Sequence, residues 1–192
     1  MKEISVLTVK LLLICAIVSA LLAGVNSITK PIIAENEQKN FEIAMQEVLP
    51  EASGFEEVAL SDYTPSETGV ILDSLYQADN GGYVVSTVCS EGYGGDVSVM
   101  VGITKDLAVN QVKIMSMSET PGLGAKASEP EFIGQYDGLS AGIAVVKNTT
   151  PADNQIEAIS GATITSKAVT KAVNTALEAA EKVNTSKGGA AQ

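Results

Sequence analysis

From Val6 to Val25 the chain runs through twenty residues interrupted by a single charge, Lys10. At about 1.5 Å of rise per residue, a helix of that length crosses the roughly 30 Å hydrocarbon layer of a bilayer. A water-soluble surface has no place for such a stretch, so the remainder must fold beside a membrane or be released from it. Lys10 sits one turn in from the start and can reach back to the headgroups. Lys2 and Lys10 mark that flank as the cytoplasmic one, which predicts N-terminus inside and main domain outside, on a single-pass cell-membrane anchor. A cleaved leader is the competing reading, with Leu11–Ala23 as its apolar core and Val18-Ser19-Ala20 as a cleavage site.

The next segment favours retention. TKPIIAENEQKNFEIAMQEVLPEA places Ile33, Phe41, Ala44, Met45 and Val48 at helical spacing among acids and amides, up to Pro50. The expected organisation is an anchor over 1–30, an amphipathic connecting helix over 31–50, a domain over 51–185 and a flexible tail over 186–192.

Charge narrows the function. The chain has 12 lysines, no arginine and no histidine, against 23 acidic residues. Past residue 30, nine lysines face 22 acids. A domain this acidic cannot replace the counterions of a nucleic acid, so that partner is set aside. Without histidine the usual zinc and haem ligands are missing, as is any Ser-His-Asp arrangement. The two cysteines, Cys15 and Cys89, form no CxxC pair. Cys89 lies in YVVSTVCSEG and reads as a small buried hydrophobe. Redox chemistry here requires an organic cofactor.

Beyond Pro50 the pattern turns to short strands. Segment 81–90 follows an Asp-Asn-Gly-Gly turn, and 96–104 alternates Val97, Val99, Val101 and Ile103 against Ser98, Met100, Gly102 and Thr104. Segments 108–119 and 142–148 are further strands. A helix is expected over 166–183, with Val169, Val173, Ala176, Leu177, Ala180 and Val183 as its apolar stripe. The fold class is α+β: one domain with a mostly antiparallel sheet and packed helices, on one membrane helix.

Three segments break this pattern. In EGYGGDV, glycines around Tyr93 allow either a close approach to a ligand or a plain hairpin turn. In ETPGLGAKA, Pro121-Gly122 prefers a type II turn, and the loop suits a flat ring, an anion or a tight connection. In EAISGATITSK, hydroxyls crowd the start of the last helix. One of them, Thr165 or Ser166, suffices as a cap. The free amides of that helix end, with Lys167 and Lys171, also suit a phosphate beside Thr163.

Ser160-Gly161-Ala162-Thr163, followed by Ile164-Thr165-Ser166, resembles the [ST]-G-A-T-x-x-[ST] motif of covalent FMN-binding domains. That family usually has an acidic residue, most often Asp, three positions earlier, and Glu157 stands there. ETPGLGAKA is similar to the family's TPGLG segment, and GYGGDVSVMVGI to its glycine-containing strand pair. The single N-terminal helix followed by NSITKPIIAENE resembles the G subunit of the Rnf electron-transport complex. It is also similar to, but shorter than, the C subunit of the sodium-translocating NADH:quinone reductase.

The resemblance implies FMN joined through its phosphate to Thr163 by a phosphoester bond, made by a flavin transferase that takes FMN from FAD. It implies cofactor contacts from Tyr93, Glu119, Thr120, Pro121, Gly122, Leu123, Gly124 and Lys126, and from Ser160, Gly161, Ala162, Thr165 and Ser166. No catalytic residue and no metal are implied. The implied role is electron carrying within an Rnf-type ion-translocating oxidoreductase that works between reduced ferredoxin and NAD. Its partners would be the other membrane and peripheral subunits, the flavin transferase and membrane lipid. Two other readings stand beside it: a covalent flavoprotein of another extracytoplasmic chain, including the NADH:quinone reductase type, and a binding module without flavin.

Overall fold

A single helix, α1 (Lys2–Val48), opens the chain in the computed structural model, which describes residues 2–59 and 63–188. Helix α1 runs on through Pro31, and the segments read as anchor (1–30) and connecting helix (31–50) lie along it up to Val48. The proline removes one N–H and sets its ring against the carbonyl of Ser27. Just upstream, Thr29 Oγ1 donates to the Val25 carbonyl at 2.8 Å. The chain divides after Ile43 into two units. In the first, every described side chain from Leu7 onward is exposed, apart from half-buried Phe41. Among the described residues this is the one helix long and apolar enough to cross a membrane, with a mean hydropathy of 2.4 over its most apolar window.

The second unit is built on a five-stranded antiparallel meander in the order β1-β2-β3-β4-β5. The strands are β1 (Phe55–Glu57), β2 (Val70–Ala78), β3 (Tyr83–Gly92), β4 (Gly95–Ile103) and β5 (Val109–Met117). β3, β4 and β5 fall where alternation places them, and Gly92 pairs with Gly95 at the tight β3–β4 turn. β2 is not legible from alternation. A bulge between Leu72 and Ser74 shifts its register, so the inward residues run Val70, Leu72, then Leu75.

Val97, Val99, Val101 and Ile103 are fully buried in the core that also holds α3 (Thr163–Gly188). All six residues of the expected stripe on α3 are buried, and Thr87 Oγ1 donates to the Ala172 carbonyl at 3.2 Å, tying sheet to helix. Helix α3 starts three residues before the expected 166 and continues to Gly188. Residues 186–188 of the expected tail are therefore helical, and 189–192 lie outside the described residues. Cys89 is fully buried in the same core, and burial pushes its thiol pKa up, which keeps it a protonated hydrophobe.

The last turn of α1 covers the opposite face. Ala44, Met45 and Val48 are buried, and a Cβ at Gly102 would collide with the Val48 carbonyl. Asn110 Nδ2 donates to that same carbonyl at 2.7 Å, and Lys113 pairs with Glu47. The architecture is α+β with helices on both faces of an antiparallel sheet.

Between β5 and α3 lie two short 3-10 turns and α2 (Pro130–Ile133). Phe132 meets Tyr136 edge to face at 5.7 Å, and Tyr136 bonds Thr170 of α3 at 2.7 Å. A parallel pair follows, β6 (Ala144–Val146) with β7 (Gln155–Glu157). Three-residue strands cannot stand alone. Side-chain amides complete them: Asn174 both accepts from and donates to the Ile143 backbone, at 2.9 and 3.0 Å, and Gln135 does the same for Glu157, at 2.7 and 3.4 Å.

Candidate functional site

β7 delivers the chain to the start of α3 through a turn that only a few residue types permit. Gly161 adopts φ +79°, a conformation that costs glycine little. Ser166 locks the turn by accepting from the Ile159 N–H and donating to the Ala162 carbonyl, both at 3.0 Å. Because α3 begins at Thr163, Thr165 and Ser166 lie inside its first turn, and the expected capping role belongs to neither. Ser166 N–H donates to the Ala162 carbonyl, the first backbone bond of the helix entrance. The N–H groups of Thr163, Ile164 and Thr165 take no partner among the described residues, as expected for a helix N-terminus. The Thr163 hydroxyl, half-buried, is also unpartnered there.

Opposite stands the 119–124 loop, closed by N–H donation from Leu123 and Ala125 to the Thr120 carbonyl. Glu119, 9% exposed, ties it to its surroundings. One carboxylate oxygen accepts from the Gly94 N–H at 3.2 Å and the other from the Thr165 hydroxyl at 3.0 Å. Gly124 is required by this meeting, because a Cβ there would press on the Glu119 carboxylate and lie 2.7 Å from Thr165 Oγ1.

These elements enclose a cavity of about 500 Å³ lined by Tyr93, Glu119, Thr120, Leu123, Gly124, Lys147 and the run Gly161 to Thr165. That volume falls among those of cofactor sites. Of the residues proposed from sequence, Tyr93, Glu119, Thr120, Leu123, Gly124, Gly161, Ala162, Thr163 and Thr165 meet here. Pro121 and Gly122 form the outer bend of the loop and do not line it. Ser166 is fully buried and occupied with the turn. Lys126 and Ser160 line a separate depression of about 300 Å³ together with Glu157.

The cations are rearranged as well. Lys171 is held by Glu91 at 2.9 Å and by Glu67 at 3.8 Å, and Lys167 lines another surface recess. The cation at the cavity is Lys147, which has no ion pair among the described residues. In the sequence Lys147 stands only at the end of a strand, and Ile164 at a free position of the motif, so neither carries a local signal.

The cavity is open to an apolar, flat ligand on one side and an anion on the other. Past Ile43, the exposed large apolar residues among the described residues are Ile71, Tyr93, Leu123 and Ile164, and the last three all line this cavity. The open amides of Thr163 to Thr165, at the positive end of α3, supply the anion side together with Lys147.

Residues 92–178 match the FMN-binding domain family, and residues 1–48 match the RnfG N-terminal region. The G subunit of the Na⁺-translocating ferredoxin:NAD⁺ oxidoreductase complex of Acetobacterium woodii is 40% identical over 181 residues, covering 88% of this chain and 87% of that protein. The chain belongs to the RnfG family. The G subunit of the proton-translocating ferredoxin:NAD⁺ oxidoreductase complex of Clostridium ljungdahlii is 36% identical over 193 residues, covering 98% and 96%. The crystal structure of Shewanella oneidensis NqrC aligns at 20% identity with a TM-score of 0.49, over 57% of this chain and 61% of that one.

Every described residue lining the cavity of this RnfG family member lies within the FMN-binding match. The donor set fits the cofactor. Tyr93, Leu123 and Ile164 offer surface to a planar ring, and the helix amides with Lys147 offer donors to a phosphate. The domain is an electron-transfer flavoprotein module whose cofactor is FMN.

Proposed function

We propose that this chain is the extracytoplasmic electron-carrying subunit of a ferredoxin:NAD ion-translocating complex, with FMN joined covalently to Thr163. One observation carries the reading: the unpartnered Thr163 hydroxyl stands at the open amide end of α3, on the wall of the cavity ringed by Tyr93, Leu123 and Ile164. In the attachment step the Thr163 oxygen forms a bond to the flavin-side phosphorus of FAD. The pyrophosphate bond breaks, AMP leaves, and the hydroxyl proton passes to a base of the flavin transferase.

When bound, FMN supplies the ability to accept one or two electrons, which suits a relay between one-electron centres. The chain's own residues bind and orient. The amides of residues 163–165 and Lys147 hold the phosphate oxygens, and Gly161 and Ala162 leave that approach open. Tyr93, Leu123 and Ile164 pack beside the ring and keep water from it. Thr163 is an attachment point and takes no part in electron transfer. Tethering matters outside the cytoplasm, where a dissociated cofactor would be lost by diffusion.

Helix α1 would anchor the protein in membrane lipid, with Lys2 and Lys10 on the cytoplasmic side. The partners are the other subunits of the complex and the transferase that matures it. The named relatives differ in coupling ion, Na⁺ in one and protons in the other.

The test is flavin fluorescence of the denatured band on a gel, for wild type and Thr163→Ala, each co-expressed with a flavin transferase. Fluorescence in wild type and none in the variant is the expected result. A dark wild-type band, with the transferase active on a control substrate, overturns the covalent reading.

A further inference from the structure

Among the described residues, Glu119 is the acidic group in the wall of the cavity and Lys147 is its one cation. It is buried, and both its oxygens accept, one from the Gly94 N–H and one from the Thr165 hydroxyl. Thr165 has a single proton, and it is directed at Glu119, so this hydroxyl is not a donor to a cofactor phosphate. The carboxylate therefore does more than close a loop. It carries negative charge to the cavity wall at a place where water screens little. Close-packed glycines keep it there: a Cβ at Gly92 would lie 2.8 Å from one Glu119 oxygen, and a Cβ at Gly124 would press on the other. Lys147 is exposed on the same cavity, so solvent and salt screen its charge far more.

Building on the FMN reading above, we propose that Glu119 sets the reduction potential of the bound flavin low, with Lys147 as a weaker opposing charge. Adding an electron places negative charge near a fixed carboxylate, which opposes reduction. Adding it near an ammonium favours reduction. The unequal burial of the two groups decides the sign of the net effect in favour of Glu119. Glu119 is in this sense a positioning and tuning residue, held by Gly94 and Thr165, with no bond made or broken at its own atoms.

The experiment measures the flavin midpoint potential by spectroelectrochemistry on the full-length, flavin-loaded chain in detergent. Glu119→Gln is expected to move the potential to more positive values, and Lys147→Met to more negative ones. The Lys147 shift should fade at high salt, while the Glu119 shift persists. An unchanged potential in Glu119→Gln, or shifts of the same sign in both variants, overturns the proposal. Where Glu119→Gln does not retain flavin, Thr165→Val decides. Removing the hydroxyl leaves the carboxylate less compensated, so the potential must fall, and an unchanged or raised value overturns the proposal. Absence of covalent flavin from the wild type is a different outcome, and it counts against attachment at Thr163.

Discussion

Thr165 and Glu119, 46 positions apart in the chain, meet as a buried hydroxyl and a buried carboxylate 3.0 Å apart. The contact joins the first turn of α3 to the 119–124 loop, and through Gly94 to the β3–β4 hairpin. Three walls of one cavity thus share a single side chain.

Thr165→Val preserves shape and removes the donor, leaving one oxygen of a buried carboxylate without its partner. The expected cost is about 2 kcal/mol of unfolding free energy. Thr165→Ser, which restores the hydroxyl, should recover most of it. Urea denaturation of the two variants checks the pair, and equal losses would show that packing, not the hydrogen bond, is what matters.

Gly124→Ala forces a methyl group against Glu119 and to within 2.7 Å of Thr165 Oγ1. Overpacking of this kind costs about 1–3 kcal/mol. The same variant should carry less covalent flavin after co-expression with a transferase, as read from fluorescence of the denatured band. Full loading at unchanged stability would mean that the loop yields easily.

Tyr93 is 72% exposed at the tip of the hairpin. Tyr93→Ala should therefore change stability by no more than about 0.5 kcal/mol. If the ring shields the flavin, iodide will quench flavin fluorescence more strongly in this variant than in wild type. Equal quenching would remove Tyr93 from the cofactor's surroundings.

The hydrogen bond to Glu91 holds the Lys171 ammonium above its ordinary pKa of 10.5, helped by the charges of Glu91 and Glu67. A folded-state pKa above the unfolded one means that the ammonium favours folding. The contribution is complete at neutral pH and disappears as pH climbs through the folded-state value, above about 10.5. Wild type should be more stable than Lys171→Met at neutral pH, and the difference should shrink in strong alkali. A difference that stays constant with pH would assign the effect to the lysine's methylenes.

Much of this fold can be read from periodicity. The alternation of Val97 to Ile103 places β4, and the stripe from Val169 to Val183 places α3, because each element buries one face against the other. β2 escapes because its bulge breaks the two-residue period at Asp73. At the site, the hydroxyl-rich motif locates the start of α3 but misassigns its cations. Lys167 and Lys171 are near Thr163 in sequence, yet lie about 6 and 12 Å up the helix axis. Lys171 there finds acids from β3 and the 63–69 segment. Lys147 comes from a strand end that carries no motif. Only the β6–β7 register, which sets Val146 against Glu157, brings it beside the turn before Thr163. Long-range placement of this kind leaves no local trace.

The cavity takes its walls from the β3–β4 hairpin, the 119–124 loop, the end of β6 and, last of all, the start of α3. Synthesis delivers them in that order. A chain stalled or trimmed before α3 lacks both the hydroxyl and the amides that would receive a cofactor, however well its sheet has formed. Loading at Thr163 would then act as a certificate of completion, and the flavin content of a preparation would count finished molecules.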